Sequence, residues 1–274
     1  MNRLTAAAGF TQNGMPYNRY GHGSRILVVF QGLLFENKPL TGFLSGLFSE
    51  PYKSLEEFCT IYIVNRKPGM PIGYSMKDIA DDYAAMIGAE FDVPVDVLGV
   101  STGGSIVQHF AADHPDMVRK LIIHSSAYTL SEYSKMLQLR VGYLASQRNW
   151  RAANMAMFGD MLPSRGFMKY ALKPVVWLGS MLMGTFGAPK DPNDLVVTIE
   201  AEDKHNFKDR LGLITAPTLV IAGDQDPFYT EVLFRETAAG IPNARLILYK
   251  GMGHPASGKQ FGRDVLAFLL DGSG

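Results

Sequence analysis

The stretch Gly99-Val100-Ser101-Thr102-Gly103-Gly104 restricts the possible folds of this chain more than any other. It follows Val93-Pro94-Val95-Asp96-Val97-Leu98, a β-branched run that reads as a buried strand. It precedes Ser105-Ile106-Val107-Gln108-His109-Phe110-Ala111-Ala112, whose apolar residues keep helical spacing up to His114-Pro115. A serine thus stands at a strand-to-helix turn, with Gly99 two positions before it and Gly103 two after. So sharp a turn strains the serine backbone, and side chains at the flanking positions would collide with the neighbouring strand or helix. The same geometry lifts the hydroxyl clear of the sheet. It also leaves the Thr102 amide at a helix start, where it can stabilise an oxyanion.

Around this turn the chain alternates strands and helices. Leu4 to Tyr20 suggests a β-hairpin with Asn13-Gly14 as a two-residue turn. Arg25-Ile26-Leu27-Val28-Val29-Phe30 reads as a fully buried strand, and a loop with a short helix spans residues 39 to 57. The strand Phe58 to Val64 carries the single cysteine, Cys59, a buried structural thiol by its setting. In the turn Asn65-Arg66-Lys67-Pro68-Gly69, Arg66 reads as a solvated charge. Ser75 to Phe91 is helical, with Ile79, Tyr83, Met86 and Ile87 on one stripe, and Val118 to Ile123 is the next strand. The rhythm breaks at Ser125 and resumes at Pro217-Thr218-Leu219-Val220-Ile221-Ala222. A helix near residues 231–239, the strand Ala244 to Tyr249 and a terminal helix near 261–270 complete the chain. Such alternation implies a doubly wound, mostly parallel sheet in an α/β fold.

The pentad around Ser101 is a G-x-S-x-G nucleophile elbow, and with its strand and helix the chain resembles the α/β-hydrolase superfamily over nearly its whole length. The resemblance implies an α/β-hydrolase core over residues 1–127 and 207–274. It also implies a helical lid over 128–206, inserted after the sixth strand. In that family a His-Gly pair usually follows the first core strand, and the next residue donates the second oxyanion-hole amide. Here Gln31 replaces the histidine, and Leu33 would be the donor beside Thr102.

A serine hydroxyl is a poor nucleophile near neutral pH and needs a base within hydrogen-bond reach. Of six histidines, His22, His109, His114, His124 and His205 read as structural or solvated. His254 follows the last core strand in Gly251-Met252-Gly253-His254, at the sheet end where Ser101 opens. Asp224 and Asp226 both follow the penultimate strand, and the family pattern Gly-x-x-Asp favours Asp226 as the acid, leaving Asp224 a turn-capping or solvent-facing carboxylate. The order Ser, Asp, His matches this fold.

Between residues 128 and 206 fall 7 of the 14 methionines, beside many aromatics. Flexible thioethers suit a pocket wall that repacks around apolar ligands, and Met157, Met161, Trp177 and Met181 are candidate substrate contacts. With 26 basic and 26 acidic residues, nothing favours nucleic acid as a partner. No apolar run is long enough for a membrane span, no metal-ligand spacing or dinucleotide fingerprint occurs, and no cofactor is expected. The N-terminus lacks a signal-peptide pattern, and a reducing cytoplasm is the simplest home. The residues and the resemblance together lead to a serine hydrolase acting on an ester of a small or medium apolar acyl group. C–C bond hydrolase, thioesterase, lactonase and perhydrolase chemistry stay open, as does a non-catalytic ligand receptor on the same scaffold.

Overall fold

The computed structural model describes residues 7–160, 174, 177–179, 181 and 188–272. Eight strands form one sheet: β1 (Ala8–Phe10), β2 (Pro16–Tyr20), β3 (Arg25–Phe30), β4 (Cys59–Val64), β5 (Val95–Val100), β6 (Val118–His124), β7 (Thr218–Gly223) and β8 (Ala244–Tyr249). Their order is β1-β2-β4-β3-β5-β6-β7-β8. From β4 to β8 every pairing is parallel, while β1 and β2 run antiparallel at one edge. Parallel strands covered on both faces must be apolar throughout, which explains runs such as Ile26–Phe30 and Leu219–Ala222.

Helices cover both faces. On one face α2 (Met76–Glu90) and α3 (Thr102–Asp113) bury Ile79, Tyr83, Met86, Ile106 and Phe110 against Val28, Phe30 and Val97. On the other, α8 (Lys259–Leu270) lays Phe261, Val265 and Phe268 over Leu27, Leu98 and Ile122. Helix α2 starts at a reciprocal capping box between Ser75 and Asp78, so the predicted start at Ser75 holds. A short α1 (Gly42–Ser49) occupies the loop foreseen over residues 39–57, and α7 (Glu231–Gly240) follows β7. Between β6 and β7 the described helices are α4 (Glu132–Ser146), α5 (Trp150–Asp160) and α6 (Asn193–Asp203).

Two expectations change. The edge hairpin closes through a longer connection than an Asn-Gly turn. Thr11 N–H donates to the Met15 carbonyl at 2.9 Å, while the Met15 N–H donates to Thr11 Oγ1 at 2.9 Å. Met15 is fully buried, and its apolar side chain draws the loop inward. Arg66 is also fully buried rather than solvated. Cys59 is buried as expected, and burial pushes its thiol up to about 11.

The chain runs from β3 outward to β4 and returns to β5 on the other side of β3, so the strand order reverses there. Phe30 pairs with Gly99, which sets the loop after β3 beside the turn after β5. Ligand sites of open α/β sheets lie at such reversals, outside the carboxyl ends of the strands. At the opposite end of these strands, buried Asp96 takes a two-pronged ion pair from Arg119 (2.8 and 2.6 Å) and a contact from Arg25 Nε (3.0 Å). That cluster ties β3, β5 and β6 together away from the reversal.

Candidate active site

Ser101 sits between β5 and α3 with φ 54° and ψ −125°, a strained conformation for a residue with a side chain. The turn is held by Ser101 N–H donating to the His124 carbonyl (3.0 Å) and Gly104 N–H donating to the Ser101 carbonyl (2.7 Å). The flanking glycines are required by contact. A Cβ on Gly99 would stand 2.3 Å from the Gly103 carbonyl oxygen, and one on Gly103 would stand 1.9 Å from the Phe30 carbonyl oxygen. Both obstacles are backbone. Gly103→Ala is therefore expected to destabilise the fold by about 3 kcal/mol or more. Gly46→Ala, where the added methyl meets nothing within 4 Å, should leave the melting temperature unchanged or raise it. Thermal unfolding of the two variants side by side checks the contrast, and a Gly103→Ala protein as stable as the parent would contradict it.

The structure brings Ser101, His254 and Asp226 together. Ser101 Oγ lies 2.9 Å from His254 Nε2, and His254 Nδ1 lies 2.7 Å from Asp226 Oδ2. A carboxylate only accepts, so Nδ1 carries the proton and Nε2 is free to accept from the hydroxyl. The other Asp226 oxygen accepts the amides of Phe228 (2.8 Å) and Tyr229 (3.1 Å), which fixes the carboxylate. The Phe228 and Tyr229 rings flank the imidazole at 4.7 and 6.1 Å. Asp224 instead accepts the Gly251 amide at 2.6 Å and caps the loop that leads to His254, the turn role expected of it.

Thr102 opens α3, with its side chain fully buried. Gln31 is buried, and its backbone N–H donates to the Val64 carbonyl at 3.0 Å, so the loop after β3 is anchored where the histidine of the common pattern is absent. A Cβ on Gly32 would lie 3.4 Å from Ser101 Cβ, which brings the Gly32–Leu33 peptide alongside the serine. Leu33 and Phe35 pack on an apolar cluster that contains Leu137, Trp150 and Met157 from the helices after β6 together with Phe228 and Tyr229. The Phe35 ring lies 6.1 Å from Trp150 and 6.3 Å from Phe158. Of the candidate substrate contacts, Met157 is buried in this cluster, Met181 is half-buried and Trp177 is 52% exposed. Met161 lies outside the described residues.

Sequence reasoning did not single out Glu202. This fully buried residue of α6 accepts from Thr102 Oγ1 (2.7 Å), Ser105 Oγ (2.9 Å) and the Tyr229 hydroxyl (3.3 Å). Burial raises its carboxyl above the usual range, against the pull of the Thr102 and Ser105 hydroxyls. No local signal marks it, because a lone glutamate in an amphipathic stretch reads as surface. Arg66, which the sequence suggests is a solvated charge, is the second residue whose contacts short-range reading does not reveal. Its Nη1 donates to the Gln31 (3.2 Å) and Gly32 (3.1 Å) carbonyls.

The remaining histidines lie elsewhere. His124 Nε2 meets the Ala256 carbonyl at 2.7 Å, His109 and His205 face one another at 3.3 Å, and His114 pairs with Asp81 at 3.0 Å. Among the described residues, no group of three or more His, Cys, Asp or Glu is placed to hold a metal ion, and no helix is long and apolar enough to cross a membrane.

Residues 17–260 match a family model described as the alpha/beta hydrolase family. A bifunctional esterase/perhydrolase of Acinetobacter calcoaceticus is 28% identical over 215 residues, covering 72% of this chain and 75% of that one. A 2-hydroxy-6-oxononadienedioate/2-hydroxy-6-oxononatrienedioate hydrolase of Cupriavidus pinatubonensis is 29% identical over 195 residues, 66% of this chain and 64% of its own length. Among solved structures, the enol-lactonase from Burkholderia xenovorans superposes with a TM-score of 0.76 at 18% identity, over 96% of this chain and 100% of that one. That last likeness is one of fold.

Proposed function

Because the chain belongs to the alpha/beta hydrolase family, we propose that it is a serine hydrolase that cleaves carboxylic esters of small or medium apolar acyl groups through an acyl-enzyme. Hydrolase activity is common to the family and to the relatives named above. The finer reading rests on one observation: an unbroken hydrogen-bond chain from Ser101 through His254 to Asp226, at 2.9 and 2.7 Å.

In the proposed reaction Ser101 Oγ attacks the ester carbonyl as His254 Nε2 takes its proton. Asp226 keeps the imidazole oriented and stabilises its charged form. The carbonyl oxygen becomes an oxyanion, received by the Thr102 and Leu33 amides, with the α3 N-terminus adding favourable field. His254 then protonates the departing alkoxide. Water, deprotonated by the same imidazole, attacks the acyl-enzyme and releases the acid. An apolar acyl group is supported by the wall of Leu33, Phe35, Met157 and Phe158 beside the serine loop. We assign the helices after β6 the role of a lid over this wall, with Met161, Trp177 and Met181 as further substrate contacts. A reducing cytoplasm suits the single, buried Cys59.

The test pairs labelling with turnover. A fluorophosphonate probe should modify Ser101 of the purified protein, located by peptide mass spectrometry. Turnover of p-nitrophenyl esters from acetate to decanoate should peak at short or medium chain length. A protein that neither labels at Ser101 nor turns over any ester in the series would refute the assignment.

A further inference from the structure

Arg66 is buried to 0% exposure, and the described hydrogen bonds of its guanidinium go to backbone carbonyls rather than to a carboxylate. Nε and Nη2 have no hydrogen-bond partner among the described residues. Glu202 and Asp194 act on the guanidinium only through longer-range charge. Burying a cation without a directly bonded counter-ion is costly, and a neutral donor would hold two carbonyls as well. What the charge does there follows from which carbonyls it meets.

One of them, at 3.1 Å from Nη1, is the Gly32 carbonyl. It shares a peptide plane with the Leu33 N–H. The described peptide bonds are trans except His254-Pro255, so this C=O and N–H point in opposite directions. A guanidinium on the oxygen end sets the plane, because a charge-assisted hydrogen bond is roughly twice as strong as a neutral one. It also draws electron density toward the oxygen and leaves the amide hydrogen more positive, as hydrogen-bonded groups in series polarise one another. The second contact, 3.2 Å to the Gln31 carbonyl, pins the preceding peptide and prevents the loop from rotating. The Gly32 position borders the nucleophile, with a Cβ there 3.2 Å from the Val100 carbonyl and 3.4 Å from Ser101 Cβ.

We propose that Arg66 is a positioning residue for the oxyanion hole, acting through the Gly32–Leu33 peptide to orient and polarise the Leu33 amide. This rests on the serine-hydrolase reading above. The demand on that amide is greatest when the carbonyl oxygen carries a full negative charge. Arg66 should therefore matter to the tetrahedral state and little to ground-state binding.

The experiment compares Arg66→Met, which removes the charge at similar length, with Arg66→Lys, which keeps the charge without the planar fork. Each is assayed on p-nitrophenyl butyrate and titrated with an alkyl trifluoromethyl ketone. Ser101 Oγ adds to the ketone carbonyl, its proton passes to His254, and the ketone oxygen becomes the oxyanion. Losing a whole oxyanion donor costs about 100- to 1,000-fold, so weakening one should lower kcat by about 10- to 100-fold in Arg66→Met. KM should stay within about threefold, ketone affinity should fall in proportion to kcat/KM, and Arg66→Lys should lie between. A variant with unchanged kcat, or with raised KM alone, overturns the proposal. So does a loss of kcat that leaves ketone affinity untouched. If circular dichroism shows Arg66→Met unfolded, Arg66→Lys decides alone, with parental kcat and ketone affinity overturning the proposal and a matched fall in both supporting it. Failure of the underlying reading is distinct, since the parent protein would then show neither ester turnover nor Ser101 labelling.

Discussion

Ser101→Ala is expected to fold like the parent and to lose ester turnover by a factor on the order of 10⁶. The methyl fits where the serine Cβ already sits, and the hydroxyl it removes contacts only the imidazole in the described hydrogen bonds. The alanine must still adopt φ 54° at the turn, so the strain is inherited rather than added. Melting temperature should move by no more than a few degrees, while the burst of p-nitrophenol disappears and steady-state turnover falls to a small residue. Residual catalysis from the oxyanion donors alone would remain above the uncatalysed rate, because transition-state binding does not vanish with the nucleophile. Undiminished hydrolysis by Ser101→Ala would remove the serine from the mechanism.

The second large effect concerns stability in acid. His124 and His205 are buried, and burial holds their imidazoles down to about 4 and about 3. His124 shows why. Its Nε2 faces the Ala256 carbonyl and must carry the hydrogen, while Nδ1 has no partner among the described residues, so a second proton would place a charge on a buried ring with nothing described to pair it. In the unfolded chain both histidines protonate near pH 6.5. The unfolded state thus binds more protons below that pH, and stability falls as pH drops from about 6.5 toward the folded values. Each histidine contributes about 1.4 kcal/mol per pH unit. Two units below the unfolded value the pair removes about 5 kcal/mol, a large part of a typical stability of about 5–15 kcal/mol. His109, lowered to about 4 mainly by burial, acts in the same direction. Glu202 opposes them, because its raised carboxyl favours the folded state as pH falls. Urea unfolding followed from pH 7 to pH 5 should show a steeply falling midpoint. His124→Gln, which can still donate to the Ala256 carbonyl, should flatten that fall, and an equal slope in both proteins would disprove the account.

The sheet was legible because its parallel strands are buried on both faces, and continuous apolar runs such as Leu27–Phe30 can do little else. The serine turn was legible for a different reason: a Cβ on Gly103 or Gly99 would stand 1.9 or 2.3 Å from a backbone oxygen, so the glycines are written into the chain. His254 follows a recognisable strand, but so do both Asp224 and Asp226, and the preference for Asp226 came from the family pattern Gly-x-x-Asp rather than from position. Arg66 and Glu202 could not. Their roles arise from contacts spanning 34 to 100 residues, to Gly32 and Thr102, and short-range periodicity carries no trace of such pairings. The hairpin connection at Thr11–Met15 was missed because Asn-Gly is a strong turn signal, and the deciding factor was burial of Met15.

The hydroxyls behind the elbow depend on a carboxylate that α6 supplies, so the segment between β6 and β7 is not a detachable module. Transplanting a foreign segment there to redirect acyl preference would strip Thr102, Ser105 and Tyr229 of their shared acceptor unless Glu202 travelled unchanged. Chimeras joined downstream of Asp203 would inherit a serine turn whose Thr102 and Ser105 hydroxyls have lost this acceptor. Those joined upstream of Asn193, with the native helix retained, would keep it whole.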